Sequence, residues 1–129
     1  MPIDARFSTG NHWERTYGYS RAVRSGRTIL TTGTVSMNED GTPFVPDDAH
    51  AQALRCLEIV ERGVLALGGT REDVLRTRFY VTCIDRADDF GRAHREFFGD
   101  HAPCLTMVEV ARLMAPEFLV EIEADAMTR

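Results

Sequence analysis

The sequence lacks the features that mark membrane proteins, disulfide-rich secreted proteins and most nucleic-acid-binding proteins. No apolar run reaches the roughly 18 residues that a membrane-spanning helix needs. The three cysteines form no C-x-x-C pair, which favours buried free thiols in a reducing compartment over a disulfide or a metal. The net charge of −5 disfavours binding to a phosphate backbone. We therefore expect neither a membrane nor a nucleic acid as a partner.

The beginning of the chain also lacks the apolar core of a signal peptide, since MPIDARFSTGNHWER is rich in charged and polar residues. We therefore expect a cytoplasmic protein. A chain of 129 residues suits one domain over residues 1–129, with residues 1–16 as a candidate loose tail. His12, His50 and His101 show no ligand spacing with a cysteine or a carboxylate, so we predict no metal and no cofactor.

Hydrophobic periodicity divides the remaining chain into five strands and two helices. The predicted strands cover residues 21–24, 28–34, 75–83, 104–112 and 117–127. The first helix follows Asp47 or Asp48 and ends at Gly68–Gly69, and the second covers residues 86–98. The order ββαβαββ predicts an α+β fold, in which both helices pack on one face of a single sheet. The other face would expose an apolar patch, which favours self-association.

The last strand has two different faces. Glu121, Glu123 and Asp125 alternate with an apolar set, which comprises Phe118, Val120, Ile122 and Ala124. This alternation predicts a strand with one buried face. The three carboxylates are either an ordinary solvated surface or part of a functional site.

Several segments together resemble the RidA family, also called YjgF/YER057c/UK114. The closing pair VEVARL and VEIEA resembles the end of the family's sequence pattern. The family's earlier landmarks are similar, in order, to GYSRAVRSGRTILTTGTVS (18–36), AQALRCLEIVERGVLALGG (51–69), DVLRTRFYVT (73–82) and GRAHREFFGD (91–100). The resemblance implies a chorismate-mutase-like fold and a homotrimer that has its small-molecule pockets in the clefts between subunits.

The resemblance also implies a chemistry, because RidA proteins hydrolyse reactive enamines and imines to a keto acid and ammonia. The family's glutamate matches Glu121, which would orient water and carry a proton. Gly33, the turn glycine of the opening hairpin, belongs to the same implied pocket. Glu123 lies roughly 7 Å further along the strand. It is either a second pocket carboxylate or the partner of an arginine on a neighbouring strand.

The sequence departs from the family pattern at several implied pocket positions. The arginine that binds the substrate carboxylate is replaced by Leu105, and the pocket cysteine by Met107. The family's tyrosine matches Ser20, although Tyr19 is adjacent, and its serine matches Thr32, which keeps the hydroxyl. Leucine cannot pair with an anion, so the chain resembles a divergent member with a more apolar pocket.

Another cation could replace the missing arginine. Arg78 is the first candidate, because it lies on the polar side of the central strand together with Arg76 and Tyr80. Arg21 and Arg92 are further candidates. Each of these arginines could instead form an ordinary surface ion pair. His94, on the second helix, could reach a pocket edge or be structural.

Three functions are compatible with these residues. The first is an imine or enamine deaminase of altered specificity, which is supported by Glu121. The second is a non-catalytic trimer that binds a small metabolite or has a regulatory role, which is supported by the loss of the arginine. The third is an activity on RNA, which the acidic balance and the lack of a basic, aromatic patch disfavour.

Overall fold

Seven strands and three α-helices organise the part of the chain that the computed structural model describes, residues 3–129. The strands are β1 (Ala5–Phe7), β2 (Ala22–Ser25), β3 (Thr28–Thr31), β4 (Thr34–Val35), β5 (Val74–Val81), β6 (Cys104–Glu109) and β7 (Val120–Met127). The helices are α1 (His12–Tyr17), α2 (Ala49–Ala66) and α3 (Ala87–Phe98). The predicted α+β class is confirmed, with β1, β4 and α1 as additions to the predicted ββαβαββ order.

One sheet contains all seven strands, in the order β1-β2-β3-β7-β5-β6, and β4 also pairs with β7. The β5–β6 pair is parallel, and the other pairs are antiparallel. β3 and β4 follow one another along the same edge of β7, with Leu30 opposite Asp125 and Val35 opposite Glu121. The predicted strand over residues 28–34 is therefore interrupted after Thr31, and this interruption lies beside Glu121.

The core lies between one face of the sheet and helices α2 and α3. Alternate residues of β7 enter it, and all are buried: Val120, Ile122, Ala124 and Ala126. Glu121, Glu123 and Asp125 keep partial exposure on the opposite side of the strand. The alternation predicted for the last strand is thus confirmed.

Helix α2 shows how local sequence signals and packing agree. Asp48, one of the two predicted caps, accepts a hydrogen bond from the Ala51 N–H at 2.9 Å. Gly68, at φ 90°, adopts the left-handed conformation just beyond the helix. Between these ends the helix directs Leu57 to the core and Leu65 to solvent, with exposures of 0% and 54%.

The structure corrects two sequence expectations about exposed regions. The alternation that begins at Leu75 predicts that Leu75 shares one side of the strand with Thr77 and Phe79, but a register shift between Val74 and Arg76 changes the parity of β5 and leaves Leu75 51% exposed. The expected loose tail over residues 1–16 contains an ordered strand, since Ala5 pairs with Arg24 and Phe7 with Ala22. Met1 and Pro2, the first residues of that tail, lie outside the described part of the chain.

The face of the sheet opposite the helices is more polar than the sequence predicted. Leu30, Val108 and Met127 are exposed there, but ionic and hydrogen-bonded side chains occupy its middle. Valine and isoleucine residues of β7 point to the helices instead. Cys56, Cys83 and Cys104 are free thiols, but only Cys56 is buried as expected, whereas Cys83 is half-buried and Cys104 is exposed on the edge strand β6.

Two leucine substitutions on the same helix test this account of the core. We expect Leu57→Ala to lower the free energy of unfolding by about 2–5 kcal/mol, because it leaves a cavity in a fully packed region. Leu65→Ala should change it by no more than about 0.5 kcal/mol. Urea unfolding followed by circular dichroism provides the measurement, and equal losses in the two variants would contradict the packing described.

Candidate functional site

A groove of about 700 Å³ opens beside the interruption between β3 and β4. Its lining comes from four parts of the chain: residues 7–21, residues 32–41, the side of α2, and residues 114–121. The floor contains Tyr19, Arg21, Thr32, Gly33 and Glu121. A cavity of this size suits a small organic molecule.

Glu121 is the carboxylate of the groove floor, and glycine makes its position possible. Gly33 lies directly against it, and a Cβ at that position would collide with the Glu121 carboxylate. Within residues 3–129 no hydrogen bond reaches this carboxylate, and β7 supplies the rigid backbone that holds it. Glu121 is therefore positioned firmly while its oxygens remain available to a ligand.

The surroundings of Glu121 favour its protonated form. Burial is the main cause that raises the pKa of the Glu121 carboxyl, and the negative charge of Glu123 raises it further. Arg21 opposes both effects by stabilising the carboxylate. A raised pKa makes the Glu121 carboxylate a better proton acceptor, and a group that can accept and then release a proton is suited to proton transfer.

Arg21 is the cation of the groove floor, and protein groups occupy most of its donors. Its Nη1 donates to the Gly33 carbonyl at 3.2 Å and to Thr34 Oγ1 at 3.1 Å. Its Nη2 donates to the Tyr19 hydroxyl at 3.3 Å. Its Nε is buried and lies 3.6 Å from Glu14 Oε2, beyond hydrogen-bond geometry.

Glu14 is the counter-ion of Arg21, and it is only 4% exposed. Ser8 Oγ and Thr9 Oγ1 donate to its two oxygens, the latter at 2.6 Å. Burial alone would raise the pKa of the Glu14 carboxyl, but these hydrogen bonds and Arg21 together lower it. Glu14 and Arg21 thus form a neutralised pair beneath the groove.

Three predicted pocket residues of the opening hairpin lie at or near the groove. Tyr19 lines it and accepts the hydrogen bond from Arg21. Thr32 also lines it, but its hydroxyl donates to the Ser20 carbonyl at 2.6 Å. Ser20 contributes only that carbonyl and is absent from the lining.

Arg78 and Glu123 lie outside the groove, on the open face of the sheet. Arg78 pairs with Asp125 at 3.2 Å and with Glu123 at 3.5 Å. Glu123 also accepts a hydrogen bond from the Tyr80 hydroxyl at 2.6 Å. For Glu123, the structure supports the alternative of pairing with an arginine on a neighbouring strand. Arg92 likewise pairs with carboxylates of its own helix, Asp89 and Glu96.

Leu105 and Met107 lie apart from Glu121 within one chain. Because β6 runs parallel to β5, Leu105 is opposite Thr77 and Met107 is opposite Phe79, on the side that packs against helices. Met107 packs against the core, whereas Leu105 lines a separate depression of about 250 Å³ next to His94. His94 is itself buried and bonded to Thr77 at 2.8 Å, which is a structural role.

Sequence reasoning missed part of the groove. Trp13, which lines the groove, and Glu14, which pairs with Arg21 beneath it, fell within the expected tail, although W-E precedes the G-Y-S-R segment by only a few residues. Arg55 and Arg62 were also missed, even though their spacing of seven places them on the same side of α2. Within residues 3–129 no cluster of three or more metal-ligating side chains occurs, and no helix is suited to span a membrane.

Comparison with known proteins gives a consistent result. The sequence profile of the family described as Endoribonuclease L-PSP matches residues 9–128. A YjgF/YER057c/UK114 family protein of Mycobacterium tuberculosis has a similar structure, with a TM-score of 0.87, 41% identity, and coverage of 96% of this chain and 98% of its own. A 2-iminobutanoate/2-iminopropanoate deaminase of Escherichia coli is 33% identical over 86% of this chain and 88% of its own. Escherichia coli TdcF, solved with bound serine, superimposes with a TM-score of 0.80 at 26% identity, covering 100% of this chain and 99% of its own.

The carboxyls of Glu121 and Glu14 should respond to pH in opposite ways. The folded-state pKa of Glu121 lies above its usual value of 4.5, so the wild type loses stability as pH rises through that interval. The folded-state pKa of Glu14 is lowered, so the wild type loses stability as pH falls through the interval below 4.5. We expect Glu121→Gln to gain stability relative to the wild type with rising pH, and Glu14→Gln to lose it. Urea unfolding from about pH 3 to pH 7 measures both differences, and trends of the same sign would contradict the assignment.

A glycine substitution tests the contact between Gly33 and Glu121. Gly33→Ala should push the carboxyl out toward solvent, so its pKa should fall toward the usual value, because burial is the main cause of its rise. Gly91→Ala is the matched control, since its added methyl would meet no atom within 4 Å. Carbon-detected NMR titration of the Glu121 carboxyl reports the shift. An unchanged pKa in Gly33→Ala would show that the glycine does not set the position of Glu121.

Proposed function

We propose that this chain, which belongs to the Endoribonuclease L-PSP family of YjgF/RidA-like proteins, hydrolyses a reactive imine or enamine with Glu121 as its proton carrier. The observation that carries the proposal is the Glu121 carboxyl itself. It has a raised pKa, it is free of hydrogen bonds from residues 3–129, and it faces an open groove. The similarity to a 2-iminobutanoate/2-iminopropanoate deaminase, at 33% identity, supports the same class of reaction.

The proposed reaction converts a C=N bond and one water molecule into a carbonyl group and ammonia. The Glu121 carboxylate accepts a proton from water as the water oxygen bonds to the imine carbon, and it passes that proton to the nitrogen to give the neutral carbinolamine. Glu121 then accepts the carbinolamine hydroxyl proton and transfers it to the nitrogen as the C–N bond breaks, which releases the carbonyl compound and ammonia. An enamine first tautomerises to the imine, gaining a proton at carbon and losing one from nitrogen. Glu121 thus ends each cycle in the state in which it began.

The charges of the groove floor favour a substrate with no carboxylate beside the C=N bond. Arg21 is neutralised by Glu14 and donates to Gly33, Thr34 and Tyr19, so it has little capacity to bind an anion there. Leu105 cannot supply a replacement charge. Leaving a substrate carboxylate desolvated and unpaired would cost on the order of several kcal/mol. We therefore propose that specificity has moved away from small 2-imino acids.

We further propose that the single domain over residues 1–129 assembles as a homotrimer, which would complete the site. The open face of the sheet carries exposed Leu30, Val108 and Met127 around its ion pairs, and such a face is suited to contact another subunit. Because β6 is an edge strand, assembly would bring the β6 edge of one subunit, which carries Leu105 and Met107, beside the cleft that holds Glu121 of the next. Tyr19, Thr32 and Gly33 would line that cleft, with Ser20 supporting Thr32, while Arg78 and Glu123 would act at the interface.

A non-catalytic trimer that binds a small metabolite is the second candidate. The loss of the carboxylate-binding arginine favours it, and the family relative TdcF of Escherichia coli was solved with bound serine. In this case Glu121 would hydrogen-bond a ligand without turnover. The description of the family as an endoribonuclease has little support in this chain, whose net charge is −5.

The decisive experiment measures ammonia release from enzymatically generated imines, above the spontaneous rate. One substrate should carry a carboxylate next to the C=N bond, and the other should be neutral. We expect the wild type to act on the neutral imine, and Glu121→Gln to lose this activity by roughly 10²–10⁴-fold. Leu105→Arg should gain activity on the imino acid.

Glu72→Gln is the matched control, because this exposed carboxyl lies outside the groove and should leave the rate unchanged. Full activity of Glu121→Gln on the neutral imine would contradict the proposed mechanism. Inactivity of the wild type on both imines, with activity gained only in Leu105→Arg, would favour the metabolite-binding alternative.

A further inference from the structure

One wall of the groove is formed by α2, and its functional groups are basic. Arg55, Ile59 and Arg62 lie three and four residues apart, so they follow the same side of the helix. Seven residues of α-helix extend about 10 Å, so the two arginines mark out a strip of that length. This strip is separate from the neutralised Arg21 on the floor.

The charges of this strip lack strong partners within the described part of the chain. The closest carboxylate of Arg55 is that of Glu58 at 3.9 Å, and the buried Nε of Arg55 has no hydrogen-bond partner among residues 3–129. The guanidinium of Arg55 is held over the Phe44 ring at 4.2 Å. Arg62 is exposed and forms no ion pair with residues 3–129. The Arg55 side chain nevertheless keeps 27% exposure, so it and the exposed Arg62 are available to pair with an anionic ligand in the groove.

The remaining walls favour an elongated ligand. Trp13 and Phe118 contribute aromatic surface to the same groove, and Ile59 lies between the two arginines. Glu39 and Asp40 lie on the loop that forms another wall, and Asp40 already accepts hydrogen bonds from the Thr42 N–H and hydroxyl at 3.0 and 2.6 Å. These acids would repel an anion from the loop and direct it toward α2.

We propose that the groove binds molecules with an apolar or aromatic body and a remote anionic end, which Arg55 and Arg62 recognise. This inference rests on the proposed function for the identity of the reacting end, which would lie at Glu121. The substrate class would then be an imine or enamine whose negative charge is several bonds away from the C=N group. Guanidinium groups suit such an end because they bind carboxylates through paired hydrogen bonds.

Trp13 makes the proposal testable without turnover, because it is the only tryptophan of the chain and it lines the groove. Its fluorescence can be titrated with 4-phenylbutanoate and with the uncharged 4-phenylbutanamide, which have the same apolar body. We expect the acid to bind roughly fivefold more tightly than the amide at low salt, with less preference at high salt. Arg62→Gln and Arg55→Gln should each reduce this preference, and the double variant should abolish it.

Arg92→Gln is the matched control, since Arg92 is an exposed arginine on α3, outside the groove. Arg62→Lys should retain much of the preference, which would separate charge recognition from a loss of folding. Glu121→Gln should also retain it while losing deaminase activity, so failure of the proposed function is distinguishable from failure of this inference. Equal affinity for the acid and the amide, a preference that survives in the double variant, or no saturable binding of the acid would overturn the proposal.

Discussion

β7 pairs with β5 along one edge and with β3 and β4 along the other, so its register determines three strand pairs at once. The same register buries Val120 and Ile122 beneath the helices and places Glu121 at the groove. A shift of one residue would exchange the two sides, so that carboxylates entered the core and apolar side chains replaced Glu121. Because burying those carboxylates would cost free energy, the observed register of β7 is favoured over the shifted one, and Glu121 stays at the groove. Stability and chemistry therefore depend on one alternation in eight residues.

Electrostatics then gives the acidic residues different roles. Glu14 is buried and bonded to two hydroxyls and a cation, which keeps it ionised. Glu123 is committed to Arg78 and Tyr80 on the open face. Within residues 3–129 Glu121 has no hydrogen-bond or ion-pair partner, and burial is the main cause that raises the pKa of its carboxyl. Residues of one chemical type thus become a counter-ion, a surface ion-pair partner and a candidate proton carrier according to their neighbours.

The sequence allowed the fold class, both long helices and the alternation of β7 to be predicted, because each depends on local periodicity. It could not reveal the β5 register shift, which leaves Leu75 exposed, since such a shift is determined by pairing with β7. Helix α1 has six residues, too few for a reliable local signal, and it is anchored by the contacts of the buried Glu14 with Ser8, Thr9 and Arg21. The sequence also could not show whether Arg21 or Arg78 is the cation of the groove. Both are strand-region arginines near carboxylates, and only tertiary pairing distinguishes them.

The interruption between β3 and β4 places one peptide group in contact with both charges of the groove floor. The carbonyl of Gly33 accepts a hydrogen bond from Arg21, while its α-carbon supports the Glu121 carboxylate. The separation between the groove-floor cation and the carboxyl is therefore set by the backbone of a single residue, and glycine is the residue that permits both contacts at once.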